Sequence, residues 1–311
     1  MQYIDKNNTT RSAGNQVTLD YLNDCCKDAN GHYCNITYRN KRGTTFPEFC
    51  SCGTPLYYDR MVRLLMSEQD NRCCYCLRRL QEGVIGCDET VTIEHIVPQS
   101  FDDSNSSEFV KYADFAPSIK ENVSLTKIFE TQPGVQSMPP FPHRVAYDNM
   151  VVSCNGSFPP GVKSSVCCNI KRESKLALPV YFRNDVSQFV EYLNNGDIQA
   201  NPASPYCTEL REVISNAALD CPSLKEIRMV WFELSAHKLE DIKRCSTEAD
   251  CEALLTNAFN ASIGLTNPIR AAELVDKFKK HDYWHTLMLY DAFYPIMKGK
   301  YRTSKKNSAS E

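Results

Sequence analysis

Apolar side chains at Met61, Val62, Leu64, Leu65 and Met66 recur at the three-to-four-residue spacing of a helix face, so Met61–Glu68 reads as a helix. It runs straight into NRCCYCLRRL. From Glu89 to Val97 the pattern becomes ETVTIEHIV, rich in β-branched residues, which predicts a strand that Pro98 ends. Residues 99–148 form a long insertion. Its start, QSFDDSNSSEF, is polar and acidic and its end, QPGVQSMPPFPH, is rich in proline, so both ends read as loop around one short helix. Tyr147–Cys154 (YDNMVVSC) predicts a short strand, NGSFPPG a turn, and CCNIKRESKLA the start of a helix. Past Leu178, VSQFVEYLNNGDIQA reads as two short segments about an Asn-Asn-Gly turn. Three or four amphipathic helices follow to about residue 297, one of them SLKEIRMVWFELSAHKLEDI with Ser223 as its N-cap and Glu226 three residues on. The tail KGKYRTSKKNSASE is basic, then small and polar, and is expected to fray. There is no internal repeat.

Length and composition narrow the class. With 311 residues, 42% hydrophobic and 23% charged, the chain is globular and long enough to bury a core without disulfide help. Three regions are expected: residues 1–72 leading into the cysteine run, a core over 73–177 that contains the insertion 99–148, and a mainly helical region over 178–311. A net charge of −3 excludes a strongly basic nucleic-acid coat. No run of 18 apolar residues exists and the N-terminus, MQYIDKNNTT, has no apolar segment. No membrane span and no secretory signal are therefore expected, and the cytoplasm is the expected compartment.

Sixteen cysteines are the unusual feature. Without a secretory signal a disulfide scaffold lacks its compartment, which leaves metal binding or plain buried thiols. Cys73 and Cys76 form C-x-x-C, with Cys154 and Cys168 following in distant segments. Two such pairs can close a tetrahedral zinc site, with Cys74 and Cys167 as substitutes one residue out of register. Between the pairs lies Glu94-His95 at the end of an apolar strand, where burying either side chain calls for a partner. Asn169 follows Cys168 in the first turn of the predicted helix as a neutral oxygen ligand or an ordinary cap, and Lys171 and Arg172 offer charge to a phosphate or to solvent. A second metal site among Cys25, Cys26, Cys34, Cys50 and Cys52, and another at His281 and His285, carry weaker patterns, while Cys207, Cys221, Cys245 and Cys251 read as packing residues.

Taken together, CCYC, IEHIVPQSF, YDNMVVSC and CCNIK resemble the HNH (ββα-metal) endonucleases with zinc-knuckle cysteines. The likeness spans residues 73–175. MQYIDK, MVRLLMSEQDNRCCYC and the SCNG…CN arrangement are similar, more loosely, to the PtuB-like HNH subunit of Septu-type anti-phage systems, which also occurs beside some retrons. The resemblance implies an α+β fold: a small ββα-metal core with a four-cysteine zinc site inside a mainly α-helical chain. It implies His95 as general base, Glu94 and Asn169 as ligands of a catalytic Mg2+ or Mn2+, and Asn149 as the brace of the histidine-bearing loop. Cys73, Cys76, Cys154 and Cys168 would hold structural Zn2+. The reaction implied is hydrolysis of DNA or RNA phosphodiesters to a 5′-phosphate and a 3′-hydroxyl, beside a PtuA-like SMC/ABC-type ATPase in bacterial defence. Three departures stand out: Glu94 where aspartate is commoner, an interval of 54 positions from His95 to Asn149 that makes Asn122 a rival brace, and a stretched interval from Cys154 to Cys168. Residues 73–175 carry 10 Lys and Arg against 12 Asp and Glu, so weak nucleic-acid binding is expected unless the partner supplies a groove. The alternative is a zinc-ribbon interaction module without catalysis.

Overall fold

The computed structural model describes residues 1–25, 55–80, 91–125, 139–156, 166–245, 247–261, 267–280 and 283–308. The protein is α+β, with helices dominating and three separate two-stranded sheets among the described residues. It forms two compact units: Met1–Tyr75, Leu80–Asn155 and Arg172–Ser187 make one, and Cys76–Arg79, Gly156–Lys171 and Gln188–Glu311 the other. Among the described residues no helix is long and apolar enough to cross a membrane.

In the first unit α1 (Asn8–Cys25) packs on α2 (Pro55–Glu68). α2 contains the predicted apolar run and starts six residues before it, at a proline whose missing N–H costs nothing in a first turn. Met61, Leu65 and Met66 form its buried face. β1 (Val91–His95) follows as predicted.

The insertion departs from expectation. Asp102 accepts the N–H of Ser104 at 3.0 Å while the side chain of Asn105 accepts the N–H of Asp102 at 3.2 Å, a capping box. The polar stretch expected to be loop is therefore a helix start, and it leads into α3 (Ser106–Phe115), which buries Tyr112 and Ala113. A second helix, α4 (Pro117–Asn122), opens on Pro117. β2 (Val123–Ser124) and β3 (Phe141–Pro142) pair in parallel.

A 3-10 turn over Tyr147–Asn149 then delivers β4 (Met150–Cys154), which is buried throughout. β1 and β4 are antiparallel, with Glu94 opposite Val151 and His95 opposite Met150. The other edge of β4 is closed by the Cys74 N–H, which donates to the Val152 carbonyl at 3.2 Å, and by a side chain. Gln69 accepts the Val152 N–H at 2.8 Å and donates to the Val152 carbonyl at 2.9 Å, so its carboxamide pairs as a neighbouring strand would. α5 (Cys168–Arg172) is one turn only, because Glu173 takes a left-handed conformation (φ 52°) that stops the helix predicted to continue.

In the second unit Gly156 has φ +70°, and a Cβ there would lie 2.0 Å from the Cys167 carbonyl oxygen. The Cys167 N–H donates to the Gly156 carbonyl at 3.2 Å, so the close approach is a backbone contact that only glycine admits. α6 (Val186–Phe189) is a single turn. β5 (Val190–Tyr192) and β6 (Ile198–Ala200) form the hairpin expected about Asn194-Asn195-Gly196. The remaining helices outnumber the expected three or four. They are α7 (Cys207–Asn216), α8 (Pro222–Leu234), α9 (Leu239–Lys243), α10 (Glu248–Ala261), α11 (Pro268–Lys280), α12 (Tyr283–Met288) and α13 (Phe293–Ser308).

α8 is capped by Cys221, not Ser223, since Pro222 takes the first helical position and Ser223 falls inside the first turn. α8 packs on α13, where Trp231 is fully buried, donates to the Leu287 carbonyl at 3.2 Å and meets Tyr294 edge-on. The basic tail expected to fray is helical to Ser308.

Gly156→Ala should lower the melting temperature by several degrees, because its new methyl meets immovable backbone. Gly299→Ala meets nothing within 4 Å and should leave the temperature unchanged or raise it, as alanine is the better helix former by about 1 kcal/mol. Differential scanning calorimetry of the two variants checks both signs.

Candidate metal centre and active site

The sulfur atoms of Cys73, Cys76, Cys154 and Cys168 all lie within 4.8 Å of one another, and all four residues are buried. A tetrahedral zinc with Zn–S bonds of about 2.3 Å spaces its sulfurs by about 3.8 Å, so these four can close on one ion. The donor chemistry agrees, since four thiolates this close cannot all ionise without a cation among them. Cys74 and Cys167 stand outside the set. Local backbone explains the register. Leu77, directly after C-x-x-C, is left-handed (φ 62°), and so is Cys168 (φ 55°). Each costs about 1 kcal/mol in a residue other than glycine, so the surrounding bonds must impose it. One of those bonds runs from the Cys168 N–H to the Ala217 carbonyl at 2.8 Å. The second cysteine set, Cys25 to Cys52, and the His281–His285 pair lie outside the residues whose side chains are described.

His95 ends β1 and is half-buried. Its Nε2 lies 3.0 Å from the Arg144 carbonyl oxygen, which can only accept, so Nε2 carries the proton. Nδ1 then presents a lone pair, and the side-chain amide of Gln99 donates to it at 3.0 Å. Gln99 is held in turn, its carbonyl accepting from Arg144 Nε at 2.7 Å and from His143 Nε2 at 3.4 Å. Burial pushes the His95 imidazole down to about 4; the charges of Arg172 and Arg144 act the same way and the bond to the Arg144 carbonyl opposes them. The ring is therefore neutral at ordinary pH, the form a proton acceptor needs.

Asn149 is 0% exposed. Its Oδ1 accepts the Val97 N–H at 2.7 Å, and its Nδ2 donates to the Val97 carbonyl at 3.0 Å and to the His143 carbonyl. Its own carbonyl accepts the Ile96 N–H at 2.9 Å. The residue thus clamps the chain just after His95. Asn122, the rival brace, bonds only within its own helix, to Ser118.

The turn bearing Asn149 is anchored by buried charge. Arg11 grips both oxygens of Asp148 at 3.1 and 3.2 Å, and Lys6 pairs with Glu68 at 3.0 Å while lying 3.8 Å above the Tyr147 ring. The Tyr147 hydroxyl donates to Glu68. Burial lowers the Lys6 ammonium and raises the Asp148 carboxyl, each opposed by the other's charge.

Glu94, beside His95, is only 2% exposed. Its Oε1 accepts from the Tyr75 hydroxyl at 3.0 Å and from Arg172 Nη1. Arg172, also 2% exposed, donates further to the carbonyls of His95 at 2.7 Å and Ile96 at 2.6 Å. Burial pushes Glu94 up and the guanidinium pulls it back; Arg172 itself is held above its ordinary value by Tyr75, Glu94, Tyr112 and Tyr181 against the effect of burial. Arg172 is thus inaccessible to a phosphate, contrary to its reading as a solvent-side cation; Lys171 is exposed. Asn169 is half-buried one turn earlier in α5. A divalent ion asks for about six oxygen ligands. Here Glu94 Oε1 and the carbonyls of His95 and Ile96 all accept from the Arg172 guanidinium, so Glu94 does not fit such an ion as it stands.

Gln99, His143, Arg144 and the packing role of Arg172 escaped the sequence reading. Only the exceptional pairing of His143 with Arg144 at the end of the proline-rich stretch offered a local signal. Neither family models nor curated proteins match the chain.

A metal held by the cluster should be lost, to the extent of about one ion per chain, in Cys154→Ser and kept in Cys74→Ser; zinc analysis of the purified wild type and variants decides. A second expectation concerns acid. Burial and the Arg144 charge push His143 down to about 3, against 6.5 unfolded. Its contribution to stability is thus complete above pH 6.5 and is lost as pH falls toward 3. Each unit of that fall should cost up to about 1.4 kcal/mol. Urea melts at pH 7, 6 and 5 should show this loss, and His143→Phe should reduce it, leaving the part that His95 contributes in the same way.

Proposed function

We propose that the protein is an HNH-type nuclease that hydrolyses nucleic-acid phosphodiesters. The observation that carries the reading is His95: a neutral imidazole at a strand end, its Nε2–H fixed on a backbone carbonyl, its Nδ1 lone pair turned the other way. This is how a general base is oriented before it meets its proton. Asn149 clamps the following residues, and Cys154 at the end of β4 belongs to the four-cysteine cluster that can hold a metal. In the reaction His95 Nδ1 takes a proton from water. The water oxygen bonds to phosphorus and the bond from phosphorus to the 3′-oxygen breaks; that oxygen takes a proton from solvent water and the imidazolium returns its proton to solvent, leaving a 5′-phosphate and a 3′-hydroxyl. Gln99 must leave Nδ1 for this to happen.

The reading retains a catalytic Mg2+ or Mn2+, with Asn169 as its expected ligand on α5, and a structural Zn2+ on the four cysteines. No step is routed through Glu94. DNA or RNA as substrate, a PtuA-like SMC/ABC-type ATPase as partner, and a place in bacterial anti-phage defence follow from the resemblance of CCYC, IEHIVPQSF, YDNMVVSC and CCNIK. The occupied state of Glu94 and of His95 Nδ1 favours a second reading, a zinc-ribbon module without catalysis.

Wild type and His95→Ala, each alone and with the ATPase, should be incubated with Mg2+ or Mn2+ and with double-stranded DNA, single-stranded DNA or tRNA. Cleavage should fall by at least a thousandfold in the variant at equal zinc content. Equal cleavage by both, or none by wild type in any mixture, transfers the site to the zinc-module reading.

A further inference from the structure

Strand neighbours point to opposite faces, and β1 separates its last two residues accordingly. His95 turns to the Arg144 carbonyl and Gln99, while Glu94 turns into a buried cluster with Tyr75 and Arg172. Arg172 is committed there on every side. Two of its nitrogens engage three acceptors, the Glu94 carboxylate and the carbonyls of His95 and Ile96. Its Nε is buried without a hydrogen-bond partner. A head group that tolerates one orphaned N–H is placed by its other bonds and not by solvent. Admitting a divalent ion at Glu94 would strand this guanidinium in the interior, since α5 ends at Arg172 and the chain turns away at Glu173.

We propose that Glu94 is the fixed counter-ion of Arg172, a strut that positions the His95 strand end, and not a ligand of the catalytic divalent ion. Arg172 is then a positioning residue: through the His95 and Ile96 carbonyls it sets where the imidazole stands, without touching substrate. This role for the pair rests on the hydrolase reading only in what it says of catalysis. The strut itself makes a separate claim about binding and folding.

The test uses the zinc-loaded full chain as wild type, Glu94→Gln, Arg172→Gln and the double variant, with Mn2+ titrated by electron paramagnetic resonance and unfolding followed by calorimetry. Glu94→Gln keeps the shape and an acceptor oxygen, so it should fold. Its Mn2+ affinity should lie within twofold of wild type while its melting temperature falls. The double variant should lose less in melting temperature than the two single losses added. Mn2+ affinity reduced tenfold in Glu94→Gln at an unchanged melting temperature overturns the proposal, and so do additive losses. Should wild type bind no Mn2+, the metal-dependent reaction is what fails, and the coupling of the two residues still decides the strut. Where cleavage is measurable, Arg172→Lys, which keeps the charge but cannot span three acceptors, should lower kcat about tenfold with KM unchanged. An unchanged kcat at equal zinc content removes the positioning role.

Discussion

A guanidinium taken out of water must find acceptors for its donors, and at Arg172 those acceptors are the carboxylate of Glu94 and two consecutive carbonyls at the end of β1. Much else follows from that requirement. The carbonyls of His95 and Ile96 are where the strand stops, so satisfying Arg172 also settles the direction in which the chain leaves β1. A buried ion pair adds little net stability against an apolar substitute, but removing one partner costs about 3–5 kcal/mol. Its contribution is therefore specificity of geometry. It holds the backbone of His95 and Ile96 at the strand end.

The same device recurs in neutral form. Asn149 and Gln69 each present a carboxamide to a backbone N–H and carbonyl, and each substitutes for a strand that is not there. Asn149 secures the segment after His95, and Gln69 the outer edge of β4. Behind Asn149 the Arg11–Asp148 and Lys6–Glu68 pairs and the Tyr147 ring tie the N-terminal segment to the same turn. A sheet of two short strands is marginal by itself. Polar side chains and the first helix complete what its backbone leaves unpaired, which is why so many buried polar groups gather around this one strand pair.

Period and composition made several elements legible: the apolar face of α2, the β-branched run of β1, the hairpin about Gly196, and the choice of Cys73, Cys76, Cys154 and Cys168 as the cysteines that come together. Such features are local, or rest on residue types with few alternative uses. The helix start at Asp102 was missed because its signal is a reciprocal side-chain bond hidden in a polar stretch. α8 was given the wrong cap because Pro222 claims the first position.

What the sequence by itself determined is thus the inventory: which segments turn or extend, which thiols have metal-ligand spacing, and that Glu94 and His95 stand side by side between them. Only the tertiary structure decided how each of those groups is occupied. That Arg172 reaches Glu94 across 78 positions, and that Gln99 and the Arg144 carbonyl are the partners of the His95 ring, depends on burial. Burial presses most polar atoms to take whichever partner folding brings within 3 Å or so. No periodicity in the chain records that choice, because the partners lie in separate segments and carry no common pattern.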